Sequence, residues 1–387
     1  MDWHIVTSEY PPQPGGVSDY TKLIAAGLAA AGDEVHVWCP GDQRTEVREE
    51  GQRVKGEGVT VHRELGRFAP ADLRRAGKAL DQFPAPRRLL VQWVPQGYGY
   101  RSINLPFCLW LWKRAKLKHD RIEIMVHEPF LAFGDGSRKQ DMAAAVHRMM
   151  VVILLNAASR VWVSIPDWET QLRPFLLGQK KSFGWLPVPS NIPVVADPDG
   201  VARVRAQYAF PGAPLVGHFG GYDRYMTELM LELLPSLPNK HDRPSVLLLG
   251  KGSLELRHQL IKRHPNLSEY VHATGALSAE DISRHISACD VMLQPYQDGV
   301  SGRRTSVMTA LSHGVPVLTT TGKATESCWA ESQAVKLTKV GDVNSMVEAL
   351  QSLSVDAAEV SRLGPAGKAL YGQCFDVKQV ITKLLVA

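Results

Sequence analysis

The chain has 387 residues, too many for one ordinary hydrophobic core, and this length predicts two domains. An apolar content of 44% and a charged content of 21% are typical of a soluble globular protein, and a net charge of +5 without a dense Lys/Arg run argues against nucleic-acid binding. The five cysteines are scattered with no C-x-x-C pair, which indicates neither a disulfide framework nor a thiolate zinc site and favours a reducing compartment.

The sequence does not predict membrane insertion, either at the N-terminal residues or at an internal segment. The N-terminal residues MDWHIVTSEYPP contain no basic region followed by a long apolar segment, so no signal peptide is expected. The most apolar run, residues 149–155, is far shorter than the ~20 residues that span a bilayer. We therefore expect a cytoplasmic protein that touches a membrane, if at all, at its inner face.

The first segment reads as strand, loop, helix and strand. Residues 3–7 and 35–38 predict buried strands, and between them three prolines and Gly15-Gly16 form a loop before a helix that starts at Val17. Such a helix begins at the carboxyl edge of a parallel sheet, where ligands bind in doubly wound folds. The loop lacks G-x-G-x-x-G, so it is not the dinucleotide fingerprint.

The same alternation continues through the first half of the chain. Repeated apolar strands followed by helices predict a parallel sheet covered on both faces. The polar pair His127-Glu128 follows one of these strands directly, at the expected ligand edge; the alternative is a strand end that turns into solvent. The predicted strands are 59–63, 88–94, 122–126 and 160–164, and the predicted helices are 71–83, 107–118, 139–158 and 167–176.

The helix 107–118 has two interpretations. Its tryptophans stand beside four Lys and Arg residues, which suits a helix lying on an anionic membrane. Aromatic residues also pack into cores while basic side chains reach water at the edges of a buried stripe. The sequence leaves both interpretations open.

Residues 186–214 contain six prolines and predict a stiff, extended connection that holds the domain boundary. The string Asp197-Pro198-Asp199 lies in this connection and not at a strand end, so we interpret it as a turn and predict no metal site. The predicted domains are residues 1–190 and 191–374, with a helix in 375–387 that packs back toward the first domain.

The pattern of strands and helices restarts after residue 214 and predicts a second Rossmann-like domain. The predicted strands are 215–219, 245–249, one around residue 271, 291–293 and 315–318, and the predicted helices are 226–234, 253–263, 279–288, one from residue 305, 345–353, 357–370 and 377–385.

The stretch 289–322 has the features of an anion site. A strand runs into a loop with Gly299 and Gly302, and a helix starts near Thr305, so free N–H groups and the positive helix end face the loop. Arg303 and Arg304 lie in this loop and suit forked hydrogen bonds to a diphosphate. The alternative is one more βαβ unit whose arginines are solvated.

Three motifs in this order carry a resemblance: PPQPGGVSDY at 11–20, VGHFGGYDR at 216–224, and TALSHGVPVLTT at 309–320, with LLLGKGS at 247–253. The chain resembles the retaining glycosyltransferases of the GT-B fold, in the family 4 group. The resemblance implies an α/β chain of two Rossmann-like domains facing each other across a cleft. It also implies transfer of a sugar from a nucleotide-diphosphate sugar to an acceptor, with retention at the anomeric carbon and without a protein nucleophile. The donor would bind the C-terminal domain and the acceptor the N-terminal one.

The chain departs from the family at three functional positions and keeps a basic residue at a fourth. The two glutamates of the family's third motif are Ser301 and Thr309 here, and neither can form a charged contact with sugar hydroxyls. The family's Arg and Lys that hold the diphosphate fall on His218 and Arg224. We therefore assign the diphosphate charge to Arg224 together with the two loop arginines, and the ribose to Thr309 or to backbone groups.

The resemblance and the strand-end positions together give a set of site residues. Aromatic side chains in the loop 97–104 could stack on an acceptor sugar, or form an ordinary wall. No metal and no cofactor besides the donor substrate is expected, and the acceptor is a sugar or a lipid-linked sugar in polysaccharide or glycoconjugate biosynthesis. The predicted catalytic residues are His127, Glu128 and Arg224. The predicted donor-binding residues are Gly15, Gly16, His218, Gly220, Gly221, Arg224, Gly250, Lys251, Gly302, Arg303, Arg304, Thr305 and Thr309. The predicted acceptor-binding residues are Val17, Tyr20, Tyr98, Tyr100 and Arg101.

Two other functions fit parts of the sequence. A non-catalytic protein that binds sugar nucleotides or glycans would explain the missing glutamates, whereas the retained glycine loop, the His-Glu pair and the arginines oppose it. A nucleotide-sugar epimerase on the same fold is the more distant alternative.

Overall fold

The computed structural model describes residues 2–41, 54–56, 58–99, 102–134, 136–237 and 243–387. The chain divides into two compact units. Unit 1 comprises Met1–Pro187 and Val380–Ala387, and unit 2 comprises Val188–Gln379. The prediction of two Rossmann-like α/β domains is confirmed.

Unit 1 is built on an eight-stranded sheet with the strand order β3-β4-β2-β1-β5-β6-β7-β8. All neighbouring strands are parallel except β3 and β4, which pair antiparallel. The strands are β1 Asp2–Val6, β2 Glu34–Trp38, β3 Val54–Gly56, β4 Val59–His62, β5 Arg88–Trp93, β6 Arg121–Val126, β7 Arg160–Val163 and β8 Ser182–Trp185. The helices are α1 Gly16–Ala30, α2 Pro70–Leu80, α3 Leu105–Leu117, α4 Arg138–Ala157 and α5 Pro166–Leu172.

One face of this sheet is covered by α2, α3 and α4. Side chains alternate between the two faces along a strand, and Val91, Ile124 and Val161 share one hydrophobic cluster with Leu111 of α3 and Leu154 of α4. Strands β5 and β6 are buried at nearly every position because the sheet is covered on both faces, as is typical of parallel sheets. The carboxyl ends of β1, β5 and β6 therefore meet at one edge, from which α1, α3 and α4 start.

The C-terminal residues of unit 1 are fastened to its sheet by Arg88. This arginine is buried and forms an ion pair of 2.7 Å with Glu123, and it donates to the backbone oxygen of Leu384 at 2.9 Å. Its guanidinium also lies 3.7 Å from the centre of the Trp3 ring. Lys383 adds a hydrogen bond to the backbone oxygen of Trp185 at 3.2 Å.

Unit 2 contains a six-stranded, fully parallel sheet in the order β11-β10-β9-β12-β13-β14. The strands are β9 Leu215–Phe219, β10 Ser245–Leu249, β11 Val271–Ala273, β12 Val291–Gln294, β13 Val317–Thr321 and β14 Lys336–Lys339. The helices are α6 Pro198–Tyr208, α7 Arg224–Leu233, α8 Ser253–Arg263, α9 Ala279–Ser287, α10 Thr305–His313, α11 Ser327–Glu331, α12 Val343–Val355, α13 Ala357–Leu370 and α14 Val377–Leu385, the last of which continues into unit 1.

The interpretation of residues 186–214 as an extended connection is wrong in its central part, which forms α6. The side chain of Asp197 caps this helix by accepting from the backbone N–H of Gly200 at 2.9 Å, and Pro198 occupies its first turn. Asp197 also forms an ion pair of 2.7 Å with Arg284. The Asp-Pro pair is thus a helix start, and the high proline content concealed it. The sequence analysis also missed β3, β8, β14 and α11, which are all short.

Candidate active site

The loop before α1 is organised by a residue that the sequence analysis did not single out. One carboxylate oxygen of Glu9 accepts from the backbone N–H groups of Val17 at 3.0 Å and Ser18 at 2.9 Å. A Cβ built on Gly15 would lie 2.1 Å from the same oxygen, so a larger residue there would displace the Glu9 carboxylate from this position. The positive end of α1, beside the predicted donor-binding residues Gly15 and Gly16, therefore already holds a carboxylate of the chain.

His127 lies at the end of β6, among side chains that partly bury its ring. Its Nε2 is 2.8 Å from Oε1 of Gln92, and the ring of Tyr20 meets it edge-on at 4.8 Å between centroids. Burial lowers the pKa of His127 to about 4, so the imidazole is neutral at neutral pH. Nε2 of Gln92 and Oγ of Ser8 are buried without a hydrogen-bond partner among the described residues, which is unusual for polar atoms in a native protein.

The neighbouring residue Glu128 is half-buried and accepts from Nε2 of Gln96 at 2.9 Å. Both His127 and Glu128 therefore stand at the carboxyl edge of the sheet, in reach of solvent. The structure places them beside the α1 entry through the contact between His127 and Tyr20.

Tyr98 does not line a pocket in this structure. Its ring is fully buried and stacks on Trp93 and Phe107, and its hydroxyl donates to the backbone oxygen of Gln92 at 2.5 Å. The aromatic face that the sequence analysis assigned to an acceptor sugar is enclosed in the core, because the loop folds back over its own strand. Tyr100 and Arg101 lie outside the described residues.

In unit 2, His218 lies near the end of β9 and is almost fully buried. Its Nδ1 donates to the backbone oxygen of Leu293 at 2.7 Å, which leaves Nε2 as the hydrogen-bond acceptor of a neutral ring. Burial lowers the pKa of His218 to about 4. Nε2 of His218 and Nε2 of Gln294, at the end of β12, both lack a partner among the described residues.

The glycines after β9 and β10 bring two loops together. A Cβ on Gly250 would lie 2.7 Å from the backbone oxygen of Gly220, and Gly250 has a φ of 108°. Lys251 follows with an exposed side chain, and Gly221 has open space around its Cα. The predicted donor residues of these loops are therefore neighbours at the carboxyl edge of unit 2.

Arg224 stands apart from this group. It is the first residue of α7, its side chain is 91% exposed, and it pairs with Glu228 one turn later at 2.8 Å. An exposed pair of this kind contributes little to stability. Arg224 is therefore a surface cation in the structure, and no described contact joins it to Arg303 or Arg304.

Arg303 and Arg304 share one carboxylate. Nη2 of Arg303 is 2.7 Å from Oδ2 of Asp298, and Nη2 of Arg304 contacts Oδ1 of the same residue. Burial would raise the pKa of the Asp298 carboxyl, but Arg304 and Arg303 outweigh it and hold the pKa below its ordinary value. The guanidinium of Arg304 lies 4.8 Å from the centre of the Tyr296 ring, and its Nε is buried without a partner among the described residues.

The two positions that hold glutamates in the resembling family, Ser301 and Thr309 here, have different surroundings. Thr309 is fully buried, and its hydroxyl donates to the backbone oxygen of Thr305 at 2.9 Å and lies 3.2 Å from Oγ of Ser190, so the hydroxyl assigned to a ribose is already used. Ser301 is also buried, but its Oγ has no partner among the described residues.

A carboxylate does stand beside Ser301, although it comes from another loop. Glu326, which follows β13, accepts from the backbone N–H of Gly302 at 2.8 Å and from the indole N–H of Trp329 at 2.8 Å. Burial raises the pKa of Glu326. The sequence analysis missed this residue because no motif links it to the arginine loop.

Among the described residues, no group of three or more His, Cys, Asp and Glu side chains could hold a metal ion. In the same part of the chain, no helix is long and apolar enough to cross a bilayer.

Comparisons with known proteins give a consistent result. Two family models match the chain: "Glycosyl transferase 4-like domain" over residues 15–181 and "Glycosyl transferases group 1" over residues 213–356. The GDP-mannose-dependent alpha-(1-6)-phosphatidylinositol monomannoside mannosyltransferase of Mycolicibacterium smegmatis is 22% identical over 178 residues. This match covers 44% of the chain and 47% of that relative, so the chain aligns with about half of its length.

Solved structures resemble the whole chain. Sucrose-phosphate synthase from Thermosynechococcus elongatus has a TM-score of 0.70 at 18% identity, covering 100% of this chain and 97% of that one. The HepE protein of Anabaena, solved with UDP-glucose, has a TM-score of 0.67 at 16% identity, covering 100% and 99%. WaaG, a glycosyltransferase involved in lipopolysaccharide biosynthesis, has a TM-score of 0.63 at 15% identity, covering 99% and 98%. At these identities the solved structures establish the fold.

Proposed function

The chain belongs to the GT-B glycosyltransferases of the family 4 type, and from this premise we propose that it transfers a sugar from a nucleotide-diphosphate sugar to an acceptor with retention of the anomeric configuration. The acceptor is a sugar or a lipid-linked sugar, and the reaction needs neither a metal ion nor a further cofactor. The enzyme works in the cytoplasm, at the inner face of the membrane when the acceptor is a lipid. The donor binds unit 2, and the acceptor binds unit 1.

One observation carries the donor assignment. In unit 2, buried side-chain atoms that lack a hydrogen-bond partner among the described residues include four: Nε2 of His218, Nε2 of Gln294, Oγ of Ser301 and Nε of Arg304. All four lie at the carboxyl ends of β9 and β12 or in the loop that follows β12. Buried polar atoms are rarely left unpaired in a native protein, so this concentration supports a polar ligand at that edge.

Charge distribution supports a diphosphate as part of this ligand. Arg303 and Arg304 are held together by Asp298, and a phosphate group offers two oxygens that can take the place of the two carboxylate oxygens. His218 is neutral at neutral pH and cannot supply a positive charge. The loop arginines therefore stabilise the negative charge that develops on the leaving nucleotide, where fixed cations are most effective. Arg224 can join them because its exposed side chain is free to reorient away from Glu228.

At the edge of unit 1, His127 and Glu128 supply acceptor-binding groups. A neutral imidazole and a half-buried carboxylate can both bind sugar hydroxyls. The proton of the attacking hydroxyl passes to a phosphate oxygen of the leaving group, so no protein nucleophile is required. In this scheme His127 orients the acceptor, and it is not the final acceptor of the hydroxyl proton.

A non-catalytic binding protein is the second candidate. The observation in its favour is that Thr309 is enclosed and Ser301 is not a carboxylate, so neither position can act as the family's glutamates do. Glu326 weakens this argument, because it brings a carboxylate to the backbone of Gly302, next to Ser301.

The experiment is a thermal-shift screen with UDP, GDP and their common sugar conjugates, without metal and with Mg²⁺, followed by assays for donor hydrolysis and transfer. A ligand at a hundredfold excess over its dissociation constant stabilises the folded state by about 2.7 kcal/mol. A shift with one nucleotide, together with release of its sugar, supports the transferase. A shift without turnover supports the binding protein, and an altered nucleotide sugar without acceptor supports the epimerase. The absence of any shift contradicts the donor assignment.

A further inference from the structure

Helices α3 and α4 form one side of unit 1. They follow the adjacent strands β5 and β6 and pack against the same face of the sheet, as the shared cluster of Leu111, Leu154 and Ile124 shows. The indole N–H of Trp112 donates to Oδ1 of Asn156 at 2.8 Å and joins the two helices directly. Their outward faces therefore lie side by side on one surface of the unit.

Large apolar side chains are exposed on this surface. Leu109 of α3 is 45% exposed, and Met142 and Met149 of α4 are 69% and 55% exposed. Met142 and Met149 are seven positions apart and so lie on one stripe of α4, with Arg138 one turn before them. Six of the thirteen large hydrophobic side chains that are exposed in the described residues fall between positions 103 and 149, which is the largest such concentration in that part of the chain.

The same two helices are strongly basic. They contain six Lys and Arg residues against one acidic residue, Asp141, which gives a net charge of +5, equal to that of the whole chain. The rest of the chain is therefore neutral overall. The cations with exposed side chains are Lys113, Lys116, Arg138 and Lys139.

The contacts of α3 also explain why its sequence was ambiguous. Phe107 and Leu111 face the core, and Arg114 is buried in an ion pair of 2.6 Å with Asp120. Leu109 and Lys113 point the opposite way and are exposed. The helix thus has a buried aromatic face and an exposed face that mixes apolar and basic side chains, so both sequence interpretations describe part of it.

We propose that the exposed α3–α4 face, defined by Leu109, Lys113, Lys116, Arg138, Lys139, Met142 and Met149, is a docking surface for a bilayer that contains anionic lipids. Lysine and arginine side chains bind the headgroups, and the leucine and methionine side chains enter the boundary between headgroups and acyl chains. A bilayer suits this face better than a folded partner, because the exposed charged side chains of both helices are all basic and lie beside exposed apolar ones. The inference rests on the membrane location given in the proposed function and assigns it to a surface, but it does not depend on which sugar is transferred.

The position of the face in the fold gives the docking a consequence. Both helices start at the carboxyl edge of the sheet, since each follows a strand of a parallel sheet. His127 and Glu128 lie at this edge. A molecule docked along α3 and α4 therefore holds the acceptor side of unit 1 next to the bilayer surface.

The test is co-sedimentation of the full chain with vesicles of phosphatidylcholine alone or with about a quarter phosphatidylglycerol. We expect binding to the anionic vesicles only, and we expect it to weaken in about 0.5 M NaCl because salt screens exposed charges. The variant Lys113→Glu/Lys139→Glu should lose about tenfold or more in lipid affinity. Leu109→Ser/Met149→Ser should also bind more weakly, but retain its salt dependence.

The matched control is Lys262→Glu/Arg263→Glu on α8, which makes the same change in net charge at exposed positions of unit 2. Its lipid affinity should stay within about twofold of that of the unaltered chain. Equal losses of lipid affinity in the control and in the α3–α4 variants would show that only net charge matters, and this would overturn the proposal. A lack of binding to anionic vesicles would also overturn it. Thermal unfolding and nucleotide binding, measured on every variant, separate this result from misfolding and from failure of the donor assignment.

Discussion

The carboxyl edges of the two sheets each hold an anion-binding feature occupied by a carboxylate of the chain, but the two features differ in kind. In unit 1, Glu9 accepts from two backbone N–H groups at the start of α1. In unit 2, Asp298 lies between the guanidinium groups of Arg303 and Arg304. Backbone N–H groups are fixed and carry only partial charge, whereas the arginines carry full charges on side chains that can exchange partners. Unit 2 is therefore suited to exchange its carboxylate for the diphosphate of the proposed donor, while unit 1 uses its carboxylate to shape the entry loop.

The largest expected effect comes from removing both arginines. Arg303→Ala/Arg304→Ala should lower the affinity for the nucleoside diphosphate by about a hundredfold, because each charge-assisted hydrogen bond to a phosphate contributes about 1.5–3 kcal/mol. Isothermal titration measures the change. Arg263→Ala, an exposed arginine on α8, is the control and should bind as the unaltered chain does. An unchanged affinity in the double variant would remove the loop arginines from the site.

The next effect is a loss of stability in acid, which we expect from a buried histidine at each of the two edges. The pKa values of His218 and His127 are lowered to about 4 from an ordinary value of 6.5. The unfolded chain therefore binds these protons more readily, so the stability is complete above pH 6.5 and falls as the pH decreases toward 4. At pH 5 each histidine should cost about 2 kcal/mol relative to pH 7.

Denaturant unfolding of the unaltered chain and of His218→Asn and His127→Asn at both pH values measures this difference. Each variant should lose part of the acid sensitivity. If His218→Asn keeps the full pH dependence, the buried imidazole of unit 2 is not its source.

A smaller effect is expected for Asp298, the carboxylate of unit 2, and it should differ from that of Glu9 in nucleotide binding. Asp298→Asn should raise the affinity for the nucleoside diphosphate about tenfold, because the arginines lose the anion that competes with the ligand. The same variant should unfold at a lower temperature, since its two ion pairs are lost. A fall in affinity would mean that Asp298 orients the arginines for the ligand and is not exchanged.

The smallest effect is expected at the other carboxylate. Glu9→Gln keeps a hydrogen-bond acceptor at the start of α1 but removes its charge, which should lower the free energy of unfolding by about 0.3–1 kcal/mol. Its nucleotide affinity should match that of the unaltered chain. A clear change in nucleotide affinity for Glu9→Gln would show that Glu9 also affects nucleotide binding. The two edges would then differ less than their hydrogen-bond donors suggest.

The sequence predicted those parts of the fold and site that depend on local patterns. Strand and helix alternation gave both sheets, and the glycines before Thr305 marked the arginine loop. Glu9 and Glu326 were missed because a carboxylate that accepts from a backbone N–H group elsewhere in the chain leaves no spacing signal. Tyr98 was assigned to a pocket because the aromatic pattern of a loop does not tell whether the loop folds over the core.

The site around Ser301 illustrates the limit more directly. A motif places residues by their order along one segment, and on that basis the position had lost its carboxylate. In the folded chain Glu326 reaches Gly302 from the loop after β13, because β12 and β13 are neighbours in the sheet and their carboxyl ends are adjacent. Only the strand order makes this proximity visible.

The hydrogen bond from Arg88 to Leu384 has a consequence for the order of synthesis on the ribosome. The residues that complete unit 1 at Val380–Ala387 are translated after all of unit 2, whose residues form one uninterrupted segment. The sheet of unit 1 therefore lacks its last segment, in which the Leu384 oxygen accepts from Arg88 and Lys383 donates to Trp185, until all of unit 2 has been translated. A ribosome that stalls within unit 2 leaves behind an N-terminal fragment in which Arg88 lacks the Leu384 backbone oxygen, and quality-control proteases should degrade that fragment faster than the finished chain.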